Sequence, residues 1–148
     1  MRKVQNSMSL KFESRSSNES FARQSVAVFA TQLDPNLEEI NDIKTAVSEA
    51  VTNSIVHAYP ERVGYITISA KIFTDNSIEI VIRDKGIGIK DIDKAREPLY
   101  TTGGDERSGM GFTIMDSFMD KLIVKSFENA GTIVTLAKKI SPRYIGGK

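Results

Sequence analysis

Cysteine is absent from the 148 residues, and the only histidine is His57. The first absence removes disulfides, thiolate nucleophiles and sulfur-ligated metals; the second excludes multi-histidine zinc and paired-histidine sites. Long apolar runs are also missing, the best being the five residues Val26 to Ala30. Neither a membrane span nor a secretory signal is indicated, and a soluble, cytoplasmic protein is expected. Net charge is only +1. It is unevenly spread: residues 1–24 carry five basic and two acidic groups, residues 25–137 eleven and seventeen, and residues 138–148 four and none. The bulk of the chain is therefore mildly acidic, which argues against a basic nucleic-acid-binding domain. Without repeats or low-complexity tracts, the chain reads as one domain over residues 8–140, with 1–7 and 141–148 as loose ends. Chemistry is left to carboxylates, amides, hydroxyls, arginines and backbone.

Glycine is what stands out. Six of the ten (Gly86, Gly88, Gly103, Gly104, Gly109 and Gly111) fall within 26 residues, a density that suits backbone approaching a ligand closely. Around this cluster the pattern is regular. Leu10 and Phe12 alternate with charged neighbours as in a short strand. Asn18 is placed to cap a helix carrying Ala22, Val26, Phe29 and Leu33 on one face, which Asp34-Pro35 stops. A longer helix is expected from Asn36 to Ala58, with Ile40, Ile43, Val47, Ala50, Val51 and Ser54 on one stripe. Alternating isoleucines at 66–72 and 78–82 flank the turn Thr74-Asp75-Asn76. A second hairpin is expected around Asn129-Ala130-Gly131, after a helix marked by Phe112, Met115 and Met119. Between Gly86 and Gly109 the pattern fades into a long connection, with a helical turn near Asp91 to Ala95; such connections are usually functional. The elements imply an α+β two-layer sandwich, with helices on one mostly antiparallel sheet.

Three segments carry candidate chemistry. In SEAVTN, Glu49 and Asn53 stack at i and i+4, about 160° and about 120° from the middle of the apolar stripe. They form either a solvated polar face or a pair able to accept a hydroxyl proton and hold a hard cation such as Mg²⁺. In IRDKGIGI, Asp84 ends a strand and Gly86 and Gly88 follow. This is either an ordinary strand-to-turn transition or a carboxylate set to accept from an exocyclic amine beside a flat ring. In RSGMGF, Arg107 and the backbone of Ser108, Gly109, Met110, Gly111 and Phe112 precede a helix. They make either a flexible loop or an anion site at a helix N-terminus. There is no GxxxxGK[ST], and no GxGxxG follows a strand, so neither a P-loop nor a Rossmann site is present.

Taken together, in this order and spacing, the three segments resemble the nucleotide-binding boxes of the GHKL or Bergerat-type ATP-binding fold shared by DNA gyrase, MutL-type proteins and histidine kinases. With PLYTT and ERSGMGFTIM, the chain is most similar to the serine kinases that act as anti-sigma factors, above all the sporulation type. The resemblance covers nearly the whole chain. It implies that ATP or ADP is bound with Mg²⁺, that Glu49 is the general base for an attacking serine, and that Asn53 is the Mg²⁺ ligand. It further implies that Asp84 takes the adenine amine, with Gly86, Gly88 and Thr132 on the adenine side. Residues 96–108 would form a lid hinged at Gly103 and Gly104, with Arg107 near the γ-phosphate and Thr101 and Thr102 touching phosphate or holding the lid. Arg23 matches the family's partner-contacting arginine. The partners implied are a sporulation sigma factor and an anti-anti-sigma protein that is the serine substrate, and a homodimer is implied. His57, one turn beyond Asn53, is expected to pack near the pocket and not to accept phosphate, because histidine-kinase acceptors lie on a separate helix. Met110, Met115 and Met119 are expected in the core. The alternatives are a stress-response anti-sigma kinase, an ATP-gated binding module without transfer activity, and a histidine-kinase catalytic domain.

Overall fold

The computed structural model describes residues 2–92, 96 and 111–141. Five strands, β1 (Val4–Glu13), β2 (Tyr65–Phe73), β3 (Ser77–Asp84), β4 (Lys121–Phe127) and β5 (Gly131–Lys139), form one sheet in the order β1-β2-β3-β5-β4. Every neighbouring pair is antiparallel. Three α-helices are described, α1 (Asn18–Ala30), α2 (Leu37–Asn53) and α3 (Gly111–Phe118). They pack over one face of the sheet, giving the α+β sandwich expected from the pattern. No helix among the described residues is long and apolar enough to cross a membrane.

The alternation in β2 and β3 explains the layering. Ile66, Ile68, Ala70 and Ile72 face the helices beside Ile78, Ile80 and Ile82, all buried. Ile68 stands opposite Ile82, and Ile80 opposite Leu136, so one continuous apolar surface crosses the central strands. Against it lie Ala22 and Val26 of α1, Ile43, Val47 and Val51 of α2, and Met115 of α3. Each fully buried branched side chain contributes about 1.5–3 kcal/mol relative to exposure. Met115 and Met119 are core residues as expected.

Helix α2 starts where its sequence says it should. Asn36 accepts from the Glu39 N–H at 2.8 Å, and Glu39 accepts from the Asn36 N–H at 2.9 Å, a reciprocal capping box. The helical path ends as expected at Ala58, but its last stretch, Ser54–Ala58, is π-helical. Asn18 differs from expectation: it is the first residue of α1, and its side chain donates to the Glu13 carbonyl at 2.9 Å, satisfying the end of β1 instead of capping the helix. Residues 2–7 also differ from a loose end. Val4 to Ser7 pair with β2, Lys3 and Thr74 exchange hydrogen bonds, and the Arg2 guanidinium lies 3.7 Å from the centre of the Phe73 ring. At the other end, Ser141 donates its N–H to Glu39 at 2.9 Å.

Candidate functional site

The strand order sets up the site. Antiparallel pairing of β3 with β5 places Asp84, the last residue of β3, directly opposite Thr132. From there the Thr132 N–H donates to Asp84 Oδ1 at 3.1 Å, and the Gly86 N–H donates to the same oxygen at 3.1 Å. Oδ2 accepts from the Ser54 hydroxyl at 2.8 Å. The carboxylate is only 8% exposed. Burial pushes its pKa above the ordinary aspartate value, while the bonds from Gly86, Ser54 and Thr132 pull in the opposite direction. Three donors orient a buried acceptor, an arrangement that suits an exocyclic amine more than a structural ion pair.

The glycines around Asp84 are required by close approach. A Cβ on Gly86 would collide with the backbone of Ala58 at the end of the π turn, and the next residue, Ile87, donates its N–H to that same Ala58 carbonyl at 3.0 Å. Gly131 sits at φ +107°, where a Cβ would strike the Asp84 carbonyl. Gly88 packs its α-carbon on the end of β4 at Phe127. The segment after Asp84 is thus pressed between the end of the long helical path and the β4–β5 hairpin.

The other half of the site lies on α2. Glu49 and Asn53 are both half-buried, on the helical stretch that leads to Ser54. Asn53 faces the start of α3: a Cβ on Gly111 would lie 3.1 Å from both the oxygen and the nitrogen of its carboxamide. The side chain of Phe112 is buried in the core, which leaves only its backbone to serve a ligand. Asn53 therefore offers a neutral oxygen beside a helix N-terminus, the kind of place where phosphate groups and their counterion bind. Among the described residues, no group of three or more His, Cys, Asp or Glu side chains is placed to hold a metal. The neutral oxygen of Asn53 suits Mg²⁺, which is usually held by one or two protein groups together with substrate phosphates.

Glu49, Asn53, Asp84, Gly86, Gly88, Gly111 and Thr132 are accordingly drawn around one end of the sandwich. Arg23, on α1, lines an open cavity together with Glu49 and is ion-paired to Glu19 at 3.0 Å, donating to the Ser20 hydroxyl at 3.2 Å. Thr101, Thr102, Gly103, Gly104, Arg107, Ser108, Gly109 and Met110 lie outside the described residues. So do most of the expected lid and of the expected turn near Asp91 to Ala95, of which the Arg96 N–H to Ile92 carbonyl bond, at 3.0 Å, is described.

Three contributors escaped the sequence reading. Ser54 was placed on the apolar stripe, where a hydroxyl needs a partner; that mismatch was the available signal. Tyr59 accepts from the Lys85 N–H at 2.7 Å and donates to the Tyr65 carbonyl at 2.8 Å, pinning the residue between Asp84 and Gly86. Ser126 meets Thr132 hydroxyl to hydroxyl at 2.8 Å and accepts from the Ile89 N–H. No sequence signal marked either of these.

Fold and site together define a histidine kinase-like ATPase domain: the family of that description matches residues 12–138, and the chain belongs to it. Nucleotide binding is the property common to that class. At higher similarity, the chain is 59% identical over 136 residues to the anti-sigma F factor of Caldanaerobacter subterraneus, covering 91% of this chain and 94% of that one. The anti-sigma F factor of Geobacillus kaustophilus is 52% identical over 139 residues, covering 93% and 95%. Within the ATPase class, the protein is a member of the anti-sigma F factor family. Among solved structures, the RsbU and RsbW domains of a Mycobacterium tuberculosis protein match with a TM-score of 0.66 at 16% identity, over 91% of this chain and 32% of that one. A histidine kinase domain from Erythrobacter litoralis matches with a TM-score of 0.56 at 18% identity, over 82% and 60%. These two likenesses concern the fold.

Proposed function

We propose that the protein is an ATP-dependent protein-serine kinase that also sequesters a sporulation sigma factor, and that its kinase substrate is the anti-anti-sigma protein that opposes it. The observation carrying this reading is the oriented, buried Asp84 carboxylate, tied through the Ser54 hydroxyl to the helical path that carries Asn53 and Glu49. Asp84 takes the adenine amine, and Asn53 supplies an oxygen to Mg²⁺. Mg²⁺, when bound, neutralises phosphate charge and fixes phosphate geometry. Glu49 accepts the proton of the substrate serine as the serine oxygen forms its bond to the γ-phosphorus; the bond to the β-phosphate oxygen breaks, and ADP leaves. Arg107, Thr101, Thr102 and the backbone of Ser108 to Gly111 are the residues expected to close on the phosphates. Phosphorylation disarms the antagonist and leaves the sigma factor captured; the unphosphorylated antagonist displaces it. Arg23 is proposed as a contact for both protein partners, and a cytoplasmic homodimer as the working state.

Support for the sigma-factor half comes from the relatives, which bear the name anti-sigma F factor. The test is incubation with labelled ATP, Mg²⁺ and a purified anti-anti-sigma protein, followed by identification of the labelled amino acid. Phosphoserine is expected. Acid-labile phosphohistidine, on either protein, would place the chain with the histidine kinases instead.

A further inference from the structure

At one end of the sheet, Asp84, Thr132 and Ser126 stand directly opposite one another on the adjacent strands β3, β5 and β4. Strand alternation turns all three side chains to the face that carries Ile82, Val134 and Val124. Thr132 is only 7% exposed, close to Asp84 in burial. Its N–H is spent on the Asp84 carboxylate. Its hydroxyl is not: among the described residues, Thr132 Oγ1 meets Ser126 Oγ and no other polar group. What Thr132 shows a ligand therefore depends on which way the proton runs between these two oxygens.

A serine hydroxyl has one proton and two lone pairs. The Ile89 N–H donates to Ser126 Oγ at 2.6 Å and fills one lone pair. The Ser126 proton then has two acceptors within reach, Thr132 Oγ1 at 2.8 Å and the Gly131 carbonyl at 3.1 Å. The first is at the usual O–H···O length and the second is beyond it. The short bond from Ile89 also polarises the Ser126 hydroxyl, which strengthens it as a donor. Ser126 therefore gives its proton to Thr132, and Thr132 keeps its own proton to give away. In the reverse arrangement Thr132 would show only lone pairs, leaving two acceptors side by side.

The row then offers an acceptor at Asp84 followed by a donor at Thr132. That order matches a base edge with an exocyclic amine next to an unprotonated ring nitrogen, as on adenine. It opposes an edge with a carbonyl next to a ring N–H, as on guanine. We propose that Ser126 is a positioning residue that sets base selectivity: it touches no ligand itself, and it directs the Thr132 proton to the ring nitrogen beside the amine. The proposal rests on the reading of Asp84 as the acceptor for the adenine amine and is independent of transfer to serine.

The test titrates ATP and 1-deaza-ATP, which keeps the amine but has C–H in place of that ring nitrogen. Both are measured against the parent chain, Ser126→Ala, Ser126→Cys, Ser126→Thr and Thr132→Val, with folding checked by circular dichroism. The readout is the ratio of the two affinities. Any loosening that follows from leaving the Ile89 N–H without its acceptor falls on both nucleotides and cancels. The parent should favour ATP by roughly tenfold, the scale of one neutral hydrogen bond. Ser126→Ala and Thr132→Val should each bring the ratio close to one by weakening ATP. Ser126→Cys, a near match in size with a weak S–H donor, should lose most of the preference and carries the test if the alanine variant does not fold. Ser126→Thr keeps the hydroxyl and should retain the preference. A ratio unaltered in both Ser126→Ala and Ser126→Cys, or a parent that binds the two nucleotides equally, would overturn the proposal and leave nucleotide binding standing. A folded parent that binds neither nucleotide would remove the base site and the proposal with it.

Discussion

The Ser54 hydroxyl donates to Oδ2 of Asp84 at 2.8 Å, joining two residues 30 positions apart in the chain. This bond ties the π-helical turn after α2 to the end of β3. It thereby links the helical path carrying Glu49 and Asn53 to the strand whose last residue is the proposed adenine acceptor. A π turn is costly in a helix and recurs at functional sites. Here it follows Asn53 directly and delivers Ser54 to Asp84 and the Ala58 carbonyl to Ile87.

Ser54→Ala should weaken ATP binding by roughly ten- to a hundredfold, on the basis of about 1.5–3 kcal/mol for one hydrogen bond to a charged acceptor. Gly86 and Thr132 still donate to the other oxygen, so the fold should persist. Titration of nucleotide against the folded variant checks this. An unaltered dissociation constant would remove Ser54 from the site.

The pH dependence follows from the burial of Asp84. Burial raises its pKa above the ordinary 3.8, against the pull of its three donors. The native protein thus holds this proton more tightly than the unfolded chain does. The contribution of Asp84 to stability is fully present below 3.8 and is lost as pH rises through the raised folded value. Nucleotide recognition runs the other way, because an amine donor needs the ionised acceptor. ATP affinity should fall as pH drops through the raised value, beginning above 3.8, and Ser54→Ala should move that limb to higher pH by removing a donor to the ionised form. Asp84→Asn should weaken binding at pH above the limb and lose the limb itself. A limb that persists in Asp84→Asn would assign it to another group.

Gly86→Ala places a methyl group against the backbone of Ala58, which has no flexible end to yield. Forcing the two apart should cost about 1–3 kcal/mol and lower the melting temperature. Since Gly86 also donates to Asp84, the stabilisation that ATP normally adds on heating should shrink as well. Thermal unfolding with and without nucleotide reads both effects. A variant with unaltered melting and a full nucleotide shift would contradict the close approach.

What the sequence revealed, and what it hid, divides along physical lines. Strict alternation makes the β2–β3 hairpin and its buried face readable, and the apolar stripe from Ile40 to Ser54 makes α2 readable. Asp84, Gly86, Gly88 and Gly111 stand out as candidates because turn chemistry and helix starts restrict residue choice locally. Tyr59 and Ser126 do not stand out, because their partners lie across the fold and nothing near them in the chain specifies the pairing; Ser54 is marked only by a hydroxyl on an apolar stripe. The N-terminal strand extends beyond its apolar alternation for a related reason. Val4 to Ser7 carry little apolar alternation, and are held by backbone pairing to β2 and by Arg2 over Phe73. Asn18, a side chain suited to capping, instead satisfies the Glu13 carbonyl at the end of β1.

The central claim is that the helical path through α2 joins both halves of the chemistry, with nucleotide bound beside Asp84, which Ser54 tethers to that path, and the proton of a substrate serine accepted at Glu49. The direct measurement compares ATP binding and phosphate transfer in the parent protein and Glu49→Gln, with Mg²⁺ and an anti-anti-sigma substrate. The account predicts nearly equal ATP affinity in the two, and transfer to serine reduced by about 10²-fold or more in the variant, as loss of a general base would give. Transfer that survives in Glu49→Gln, or a parent protein that binds ATP and transfers nothing to serine, would contradict it.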